Sequence, residues 1–421
     1  MTDLGAPVED AVRWLVTALA GAATEAQVAD RLAPRLTGRG DVAAFFTSSR
    51  RFAAFREHAP QIERLERRGD WSAYAIVRTG PTRWELDVAV EPEPPHRIRS
   101  FQPREAAPDG IELAEISERL RGGDRDEPGA AGGGRRLVAA ATSVVGLAAG
   151  LLIDGEVVYR GFRGLADLSS GTAIDEHSVF RVGSVTKVVT ALTVLHLVAT
   201  GVVELGAPVD RYLPAVGLPT PPTVEQLLLH RGGLPKDALS RDGIRQPWPP
   251  GDRAEYSNLG YRLLAAVVEK VSAEPYPVVA AREILARYGL ADASFGSPTV
   301  TGYRLAADRV SPAAAESRAT TGAGGMVASL ADLFTLARLL ARADDPLIAA
   351  ALERTTQAGP GARFAAGFAL LDRTDGTVLW RGGATEGFTA EIVVTGDRAA
   401  VVLANTTPAT GLRPTAMDLI R

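Results

Sequence analysis

The stretch GSVTK contains a serine and a lysine three residues apart, Ser184 and Lys187. Of the residues in this sequence, this pair is the clearest candidate for catalysis. Of the 46 lysines and arginines only three are lysines, and a lysine, unlike an arginine, can be tuned to release its proton. Residues three apart on a helix share a face, so the Ser184 hydroxyl and the Lys187 amine can meet. Burial and a helix N-terminus would lower the lysine pKa enough for it to activate the serine. The alternative is a serine that caps a helix and a lysine on the helix surface.

Two later segments offer groups that could complete such a site. Tyr256 and Asn258 in AEYSN follow a Pro-Pro-Gly turn, and side chains two apart in an extended segment share a face. A phenol can relay a proton, and an amide can orient Lys187 or a substrate carbonyl. Gly382 and Gly383, where a predicted strand ends, would let another segment approach the backbone, whose exposed N–H groups could stabilise an oxyanion. Taken singly, the Tyr-x-Asn pair is more typical of an ordinary loop, and the glycine pair is equally typical of a β-bulge or a strand-to-strand corner.

The order of these three motifs resembles the serine β-lactamase and penicillin-binding-protein superfamily, nearest its branch of class C β-lactamases, D-alanyl-D-alanine carboxypeptidases and esterases. The resemblance covers roughly residues 144 to 421 and does not reach the first hundred residues. It rests on five segments in order: FRVGSVTK, LLLHRGGLP, PGDRAEYSN, GAGGMVASLADL and RGGATEGF.

The resemblance implies a role for each motif residue. Ser184 would be the acylated nucleophile and Lys187 its general base. Tyr256 would protonate the leaving group and later help to activate water. Asn258 would hold the substrate amide and Lys187. The implied substrate is a small ester or amide, and no cofactor is expected.

The third motif would supply the oxyanion hole, from the backbone N–H groups of the nucleophile and of Ala384, the residue after Gly383. The sequence departs from the family at Arg381, a position that usually holds lysine or histidine, or tryptophan in some esterases. The arginine side chain is permanently positive and can form bidentate hydrogen bonds, which favours an anionic substrate such as a carboxylate. It cannot exchange protons, so it cannot act as an acid or a base. The alternative is that Arg381 pairs with Glu386 or Glu391 and only braces the strand.

Hydrophobic patterning divides the chain into two predicted α+β domains. Residues 1–105 form a small domain with helices followed by alternating strands, and residues 106–135, rich in glycine and charge, form a linker. Residues 136–421 begin with a hairpin turned at Asp154-Gly155 and end in strands, with helices between. This order predicts an antiparallel sheet built from both ends of the domain, flanked by helices and with an all-helical insert, which is the β-lactamase-like fold that the resemblance implies.

Composition excludes several classes of function. The chain has no cysteine and five scattered histidines, so no metal site is expected. Its net charge of −4 does not indicate binding to nucleic acid. The apolar run VVTALTVLHLVATGVVEL contains His196 and Gly201 and is interpreted as a buried helix, so no membrane contact is expected. The start lacks a basic segment before its apolar run, which favours a cytoplasmic location and an internal substrate.

Two hypotheses of function remain. The first is a serine hydrolase or acyl transferase that works through an acyl-enzyme at Ser184. The second is a catalytically silent protein that keeps the β-lactamase fold for binding or regulation, a role that Arg381 and the added N-terminal domain would fit. The N-terminal domain itself could be a lid, a homodimer surface or a stabilising cap, and its Trp71, Trp84 and Phe101 are expected in its core.

Overall fold

The structure is a computed structural model that describes most of the chain in two compact units. The units are Met1–Ile111 with Ala306–Ser311, and Glu112–Leu305 with Pro312–Arg421. The described residues are 7–33, 52–69, 71–80, 82–105, 111–112, 125–126, 144–237, 239–240, 243–244, 246–306, 309–313, 321–373, 376–407, 409 and 412–420. Most of the predicted linker therefore lies outside the described residues, and the domain boundaries stay a prediction.

The first unit is a four-stranded antiparallel sheet with a helix on it. Its elements are α1 (Pro7–Leu19), α2 (Glu25–Arg31), α3 (Ala53–Glu57), β1 (Gln61–Gly69), β2 (Ser72–Thr79), β3 (Thr82–Val90) and β4 (Ile98–Glu105). The strands lie in the order β1-β2-β3-β4, and the apolar stripe of α1 packs on β2 and β3. Trp84 is buried in this core, and Trp71 and Phe101 pack against it partly buried.

The rest of the chain carries many more elements. Up to the middle helices these are β5 (Ile111–Glu112), β6 (Arg125–Asp126), β7 (Gly146–Ile153), β8 (Glu156–Asp167), β9 (Thr172–Ala173), β10 (Phe180–Arg181), a 3-10 turn (Gly183–Val185), α4 (Thr186–Ala199), a second 3-10 turn (Val209–Arg211), α5 (Val224–Leu228), β11 (Leu239–Ser240), β12 (Gly243–Ile244) and α6 (Asn258–Ser272). Then follow α7 (Tyr276–Ala280), a π-helical turn (Ala281–Leu285), β13 (Tyr303–Ala306), β14 (Arg309–Pro312), α8 (Thr321–Gly324), β15 (Val327–Ala328), α9 (Leu330–Arg342), α10 (Pro346–Glu353), β16 (Thr355–Gly359), β17 (Ala362–Ala365), β18 (Phe368–Arg373), β19 (Gly376–Thr385), β20 (Phe388–Thr395), β21 (Arg398–Ala404), β22 (Thr406–Thr407) and α11 (Leu412–Leu419).

A ten-stranded sheet organises the second unit. Its order is β16-β17-β18-β19-β20-β21-β7-β8-β6, with β9 beside β8, and all its pairings are antiparallel. The last long strand, β21, pairs with β7, the first, so the sheet closes the two ends of the unit onto each other as predicted. The β7–β8 hairpin turns at Asp154 and Gly155, which both have positive φ, as a two-residue turn of this kind requires.

Helix α4 lies at the centre of the helical layer. Eleven of its 14 residues are buried, because its apolar side chains run all the way round rather than along one stripe. It packs against α6, α8 and α10, and these contacts make it a buried core helix, as predicted for this apolar run. In the described part of the chain, no helix combines the length and apolar character needed to cross a bilayer.

Candidate active site

Ser184 lies in the tight 3-10 turn that leads into α4. Gly183 before it has a φ of +49°, and a Cβ there would lie 2.9 Å from the backbone nitrogen of Ala384, so only glycine permits this approach. Neither the 3-10 turn nor α4 begins with a side-chain cap. The Ser184 hydroxyl is therefore not used as a helix cap but lies among the other motif side chains.

Lys187 is buried one turn further on and is held by three oxygens. Its Nζ lies 2.7 Å from Asn258 Oδ1, 2.6 Å from the carbonyl oxygen of Ala323 and 3.2 Å from Ser184 Oγ. Burial, opposed by Tyr256 and assisted by the Arg381 charge, lowers the pKa of Lys187 to about 8. Lys187 thus meets the two conditions for activating the serine, which are contact with Ser184 and a lowered pKa.

The Tyr256 phenol touches the serine from the other side. Its Oη lies 2.8 Å from Ser184 Oγ and accepts a hydrogen bond of 2.8 Å from Arg381 Nη2. Burial raises the pKa of the phenol, but the Arg381 and Lys187 charges lower it by more, to about 7 overall. A phenol in this state can both give and take a proton near neutral pH.

Asn258 reaches Lys187 from the first residue of α6. Ser257 is the N-cap of this helix, and its side chain accepts from Gly260 N–H. The sequence places Tyr256 and Asn258 on one face of an extended segment; in the structure that segment ends at Ser257, and Asn258 already belongs to the helix. Both side chains nevertheless converge on the Ser184–Lys187 pair.

Arg381, on β19, is 5% exposed and directs two nitrogens at site atoms. Its Nε donates to the carbonyl oxygen of Ser184 at 2.8 Å, and its Nη2 donates to Tyr256. Within the described residues Arg381 forms no ion pair with a carboxylate. Glu391, one of the suggested partners, instead accepts from Trp380 Nε1 at 2.7 Å and lies 3.4 Å from Arg413.

The edge of β19 after Trp380 faces Ser184. Strand β18 pairs with β19 only as far as Trp380, whereas β20 pairs with it on to Thr385. A Cβ added to Gly383 would lie 2.0 Å from Val182 O and 2.9 Å from Ser184 N. Because Gly183 and Gly383 have no side chains, the two segments that carry the backbone nitrogens of Ser184 and Ala384 lie in direct contact.

The sequence did not mark His230 as part of this site. It has a φ of +58°, is 3% exposed, and its Nδ1 lies 3.2 Å from Ser257 N–H, which leaves the proton on Nε2. Burial, with the nearby Arg381 and Lys187 charges, holds its pKa well below the usual range, so the ring is neutral. Its ring lies 4.6 Å from that of Tyr256, which it helps to hold in place.

The whole arrangement supports two distributions of protons. In one, the serine donates to a neutral Lys187 and the Tyr256 O–H donates to the serine. In the other, Lys187 is an ammonium that donates to all three of its oxygens, and a Tyr256 phenolate accepts from the serine and from Arg381. Either one provides Ser184 with a base. The described residues contain no group of His, Asp or Glu side chains able to hold a metal ion.

The site contains a buried Ser-x-x-Lys pair, a Tyr-x-Asn motif and an unpaired strand edge. It lies between a ten-stranded antiparallel sheet and a helical layer, and this combination defines a β-lactamase-like site. Residues 135–421 match the model of the Beta-lactamase family, and the chain belongs to that family.

Comparison with characterised proteins gives relatives of several activities. The chain is 31% identical over 188 residues to the esterase EstB of Burkholderia gladioli, and the match covers 37% of this chain and 48% of that protein. It is 27% identical over 210 residues to AmpH of Escherichia coli strain K12, named a D-alanyl-D-alanine-carboxypeptidase/endopeptidase, which covers 44% of this chain and 54% of that protein. The chain thus spans about half the length of these relatives.

Among solved structures, the octameric penicillin-binding protein homologue from Pyrococcus abyssi superposes with a TM-score of 0.60. It is 22% identical in sequence, and the match covers 67% of this chain and 74% of that chain. This likeness confirms the fold predicted for the second part of the chain.

Proposed function

We propose that the chain is a serine hydrolase or acyl transferase that acts on a small ester or amide through an acyl-enzyme at Ser184. The observation that carries the proposal is the contact of Ser184 Oγ with two groups of lowered pKa, Tyr256 Oη at 2.8 Å and Lys187 Nζ at 3.2 Å. Paired nucleophile and base within hydrogen-bond reach are the mark of covalent catalysis. The relatives named as an esterase and a carboxypeptidase support the same class of reaction.

Acylation would begin with attack of Ser184 Oγ on the substrate carbonyl carbon while its proton passes to Lys187 Nζ. The oxyanion that forms would be held by the backbone N–H groups of Ser184 and Ala384. As the bond to the leaving group breaks, Tyr256 Oη gives that group its proton. The products are the acyl-enzyme, a protonated Lys187, a Tyr256 phenolate and a free alcohol or amine.

Deacylation would use the same groups in reverse. The Tyr256 phenolate takes a proton from water, or from an acceptor alcohol or amine, as the oxygen or nitrogen of that molecule attacks the acyl carbon. Ser184 Oγ leaves and recovers its proton from Lys187. The cycle restores the starting state, and whether hydrolysis or acyl transfer results depends on which acceptor enters the site.

The test is covalent labelling of Ser184. A fluorophosphonate probe, followed by mass spectrometry of the peptide that contains Ser184, should give an adduct on this residue and on no other serine. A fluorescent penicillin and a panel of small esters would then separate esterase from penicillin-binding behaviour. An intact, folded protein that takes no adduct at Ser184 would favour the catalytically silent binding protein instead.

A further inference from the structure

Asp237 lies over the first turn of α6, and hydrogen bonds to the carbonyl oxygens of the two residues before it hold it there. The carbonyl oxygen of Lys236, the residue before it, accepts from Asn258 N–H at 2.8 Å. One residue further back, Pro235 O accepts from the Ser257 hydroxyl at 2.8 Å. The position of Asp237 therefore follows that of the helix start and does not depend on its own side chain.

The Asp237 carboxylate fixes the orientation of the Asn258 amide. Its Oδ1 lies 2.7 Å from Asn258 Nδ2, while Asn258 Oδ1 lies 2.7 Å from Lys187 Nζ. A carboxylate only accepts hydrogen bonds and a lysine donates them in either charge state, so the amide nitrogen must face Asp237 and the amide oxygen must face Lys187. A turned amide would set two acceptor oxygens against each other on one side and two donors on the other.

The negative charge of Asp237 also reaches Lys187. The side chain is 52% exposed, and Arg262, one helical turn after Asn258, lies 3.8 Å from its Oδ1. A long, half-exposed ion pair of this kind is weak and neutralises the carboxylate only in part. The charge of Asp237 accordingly raises the pKa of Lys187, against burial and the Arg381 charge.

We propose that Asp237 is a positioning residue of the active site, which holds the Asn258 amide so that Lys187 keeps its remaining contact directed at Ser184. Its charge in addition raises the pH at which Lys187 becomes a free base. The catalytic consequence rests on the proposed function, whereas the geometric and electrostatic one does not.

The test compares Asp237→Asn, which removes the charge but keeps an acceptor oxygen, with Asp237→Ala, which removes both. Asp252→Asn is the matched control, because Asp252 is 49% exposed and its carboxylate pairs with the neighbouring Arg253. Acylation by a p-nitrophenyl ester is followed from pH 6 to 10, with melting temperatures measured in parallel. Asp237→Ala should lower kcat about ten-fold, and Asp237→Asn should recover most of that loss at high pH.

Both Asp237 variants should move the acid limb of the rate profile to lower pH, since both remove the charge that favours the ammonium. Among the described residues, the other charged or titratable groups that face Lys187 are the Tyr256 phenol, the Arg381 guanidinium and the buried Tyr261, whose ring lies 5.6 Å from Lys187 Nζ. A neutral His230 lies behind the Tyr256 phenol, and all these groups are unchanged in the variants. A rate and a limb equal to those of the wild type would overturn the proposal. A lower melting temperature with an unmoved limb would show a merely structural role.

A second readout does not depend on activity. Because the chain has three lysines, the titration of Lys187 can be followed by NMR of protein labelled with 13Cε-lysine. The pKa of Lys187 should fall in Asp237→Asn and stay unchanged in Asp252→Asn, and no fall in Asp237→Asn would refute the electrostatic part. If the wild type takes no fluorophosphonate, the proposed function fails while this titration still decides the role of Asp237.

Discussion

Replacing Lys187 by arginine separates a lysine that acts as a base from one that acts only as a charge. The substitution keeps the positive charge beside Ser184 but removes the ability to become neutral, because an arginine does not deprotonate in a protein. We expect the acylation rate to fall while the Tyr256 phenol and the Arg381 guanidinium stay in place.

The magnitude follows from the pKa of Lys187. With a pKa of about 8, about one molecule in ten carries the neutral amine at pH 7. An arginine in the same place would be neutral in fewer than about one molecule in 10⁵. General-base catalysis contributes about 10²- to 10⁴-fold, so the acylation rate should fall by about that factor.

The assay is single-turnover acylation by a p-nitrophenyl ester, with Lys270→Arg, on the exposed face of α6, as the matched control. Since Lys187 is fully buried, the larger arginine could disturb the fold, and the melting temperature is measured alongside. Lys187→Met, of similar length and without a titratable group, should be equally inactive and serves if the arginine variant does not fold. A folded Lys187→Arg or Lys187→Met protein that keeps most of the wild-type rate would refute the reasoning.

Two further predictions concern the nucleophile and the strand edge. Ser184→Ala should abolish the fluorophosphonate adduct and change the free energy of unfolding by at most about 1 kcal/mol, because its hydroxyl caps neither helix start; turnover that survives would remove Ser184 from the nucleophile's role. Gly383→Ala should lower the acylation rate by about 100-fold or more and destabilise the fold by about 1–3 kcal/mol, because its Cβ would lie 2.0 Å from Val182 O beside the predicted oxyanion hole. The control is Gly359→Ala, whose Cβ meets no atom within 4 Å. Equal activity of the two variants would contradict the assignment of the oxyanion hole.

The sequence predicted the parts of this molecule that local rules control. The β7–β8 hairpin was predictable because Asp154-Gly155 suits a two-residue turn, and the Ser184–Lys187 contact because three residues make almost one helical turn. The strands at the two ends of the second unit were predictable from their apolar runs. In each case the decisive interaction lies between neighbours in the chain or follows from a repeating pattern.

The parts that the sequence did not predict depend on approaches between distant segments. The bond from Arg381 Nε to the Ser184 carbonyl joins residues 197 positions apart. It exists because Gly383 lets β19 lie against the 3-10 turn that carries Ser184. His230 and Asp237 enter the site through the path of the segment that runs from α5 to α6, for which spacing offers no signal. An ordinary turn histidine and an ordinary loop aspartate would look the same in the sequence.

Arg381 has two roles that one variant can tell apart. If it also binds a substrate carboxylate, as its residue type indicates, Arg381→Gln should raise KM for an ester that carries a carboxylate by about ten- to hundred-fold beyond any change for a neutral ester of the same shape. Its contacts with the Ser184 carbonyl and the Tyr256 phenol add a loss of kcat that both esters should share. An equal loss on both substrates would contradict the carboxylate clamp and leave the contacts within the protein as the function of this residue.

The pH profile then tests the electrostatics with a fixed sign. The Arg381 charge lowers the pKa of both Lys187 and Tyr256, so its removal raises both, and the acid limb should move to higher pH whichever of the two is the base. This is opposite to the shift expected on removal of the Asp237 charge. Arg381→Lys keeps a cation, so its limb should stay nearer the wild type while kcat falls with the loss of the two-nitrogen contact. A limb that moves to lower pH in Arg381→Gln would show that neither Lys187 nor Tyr256 supplies the base for Ser184.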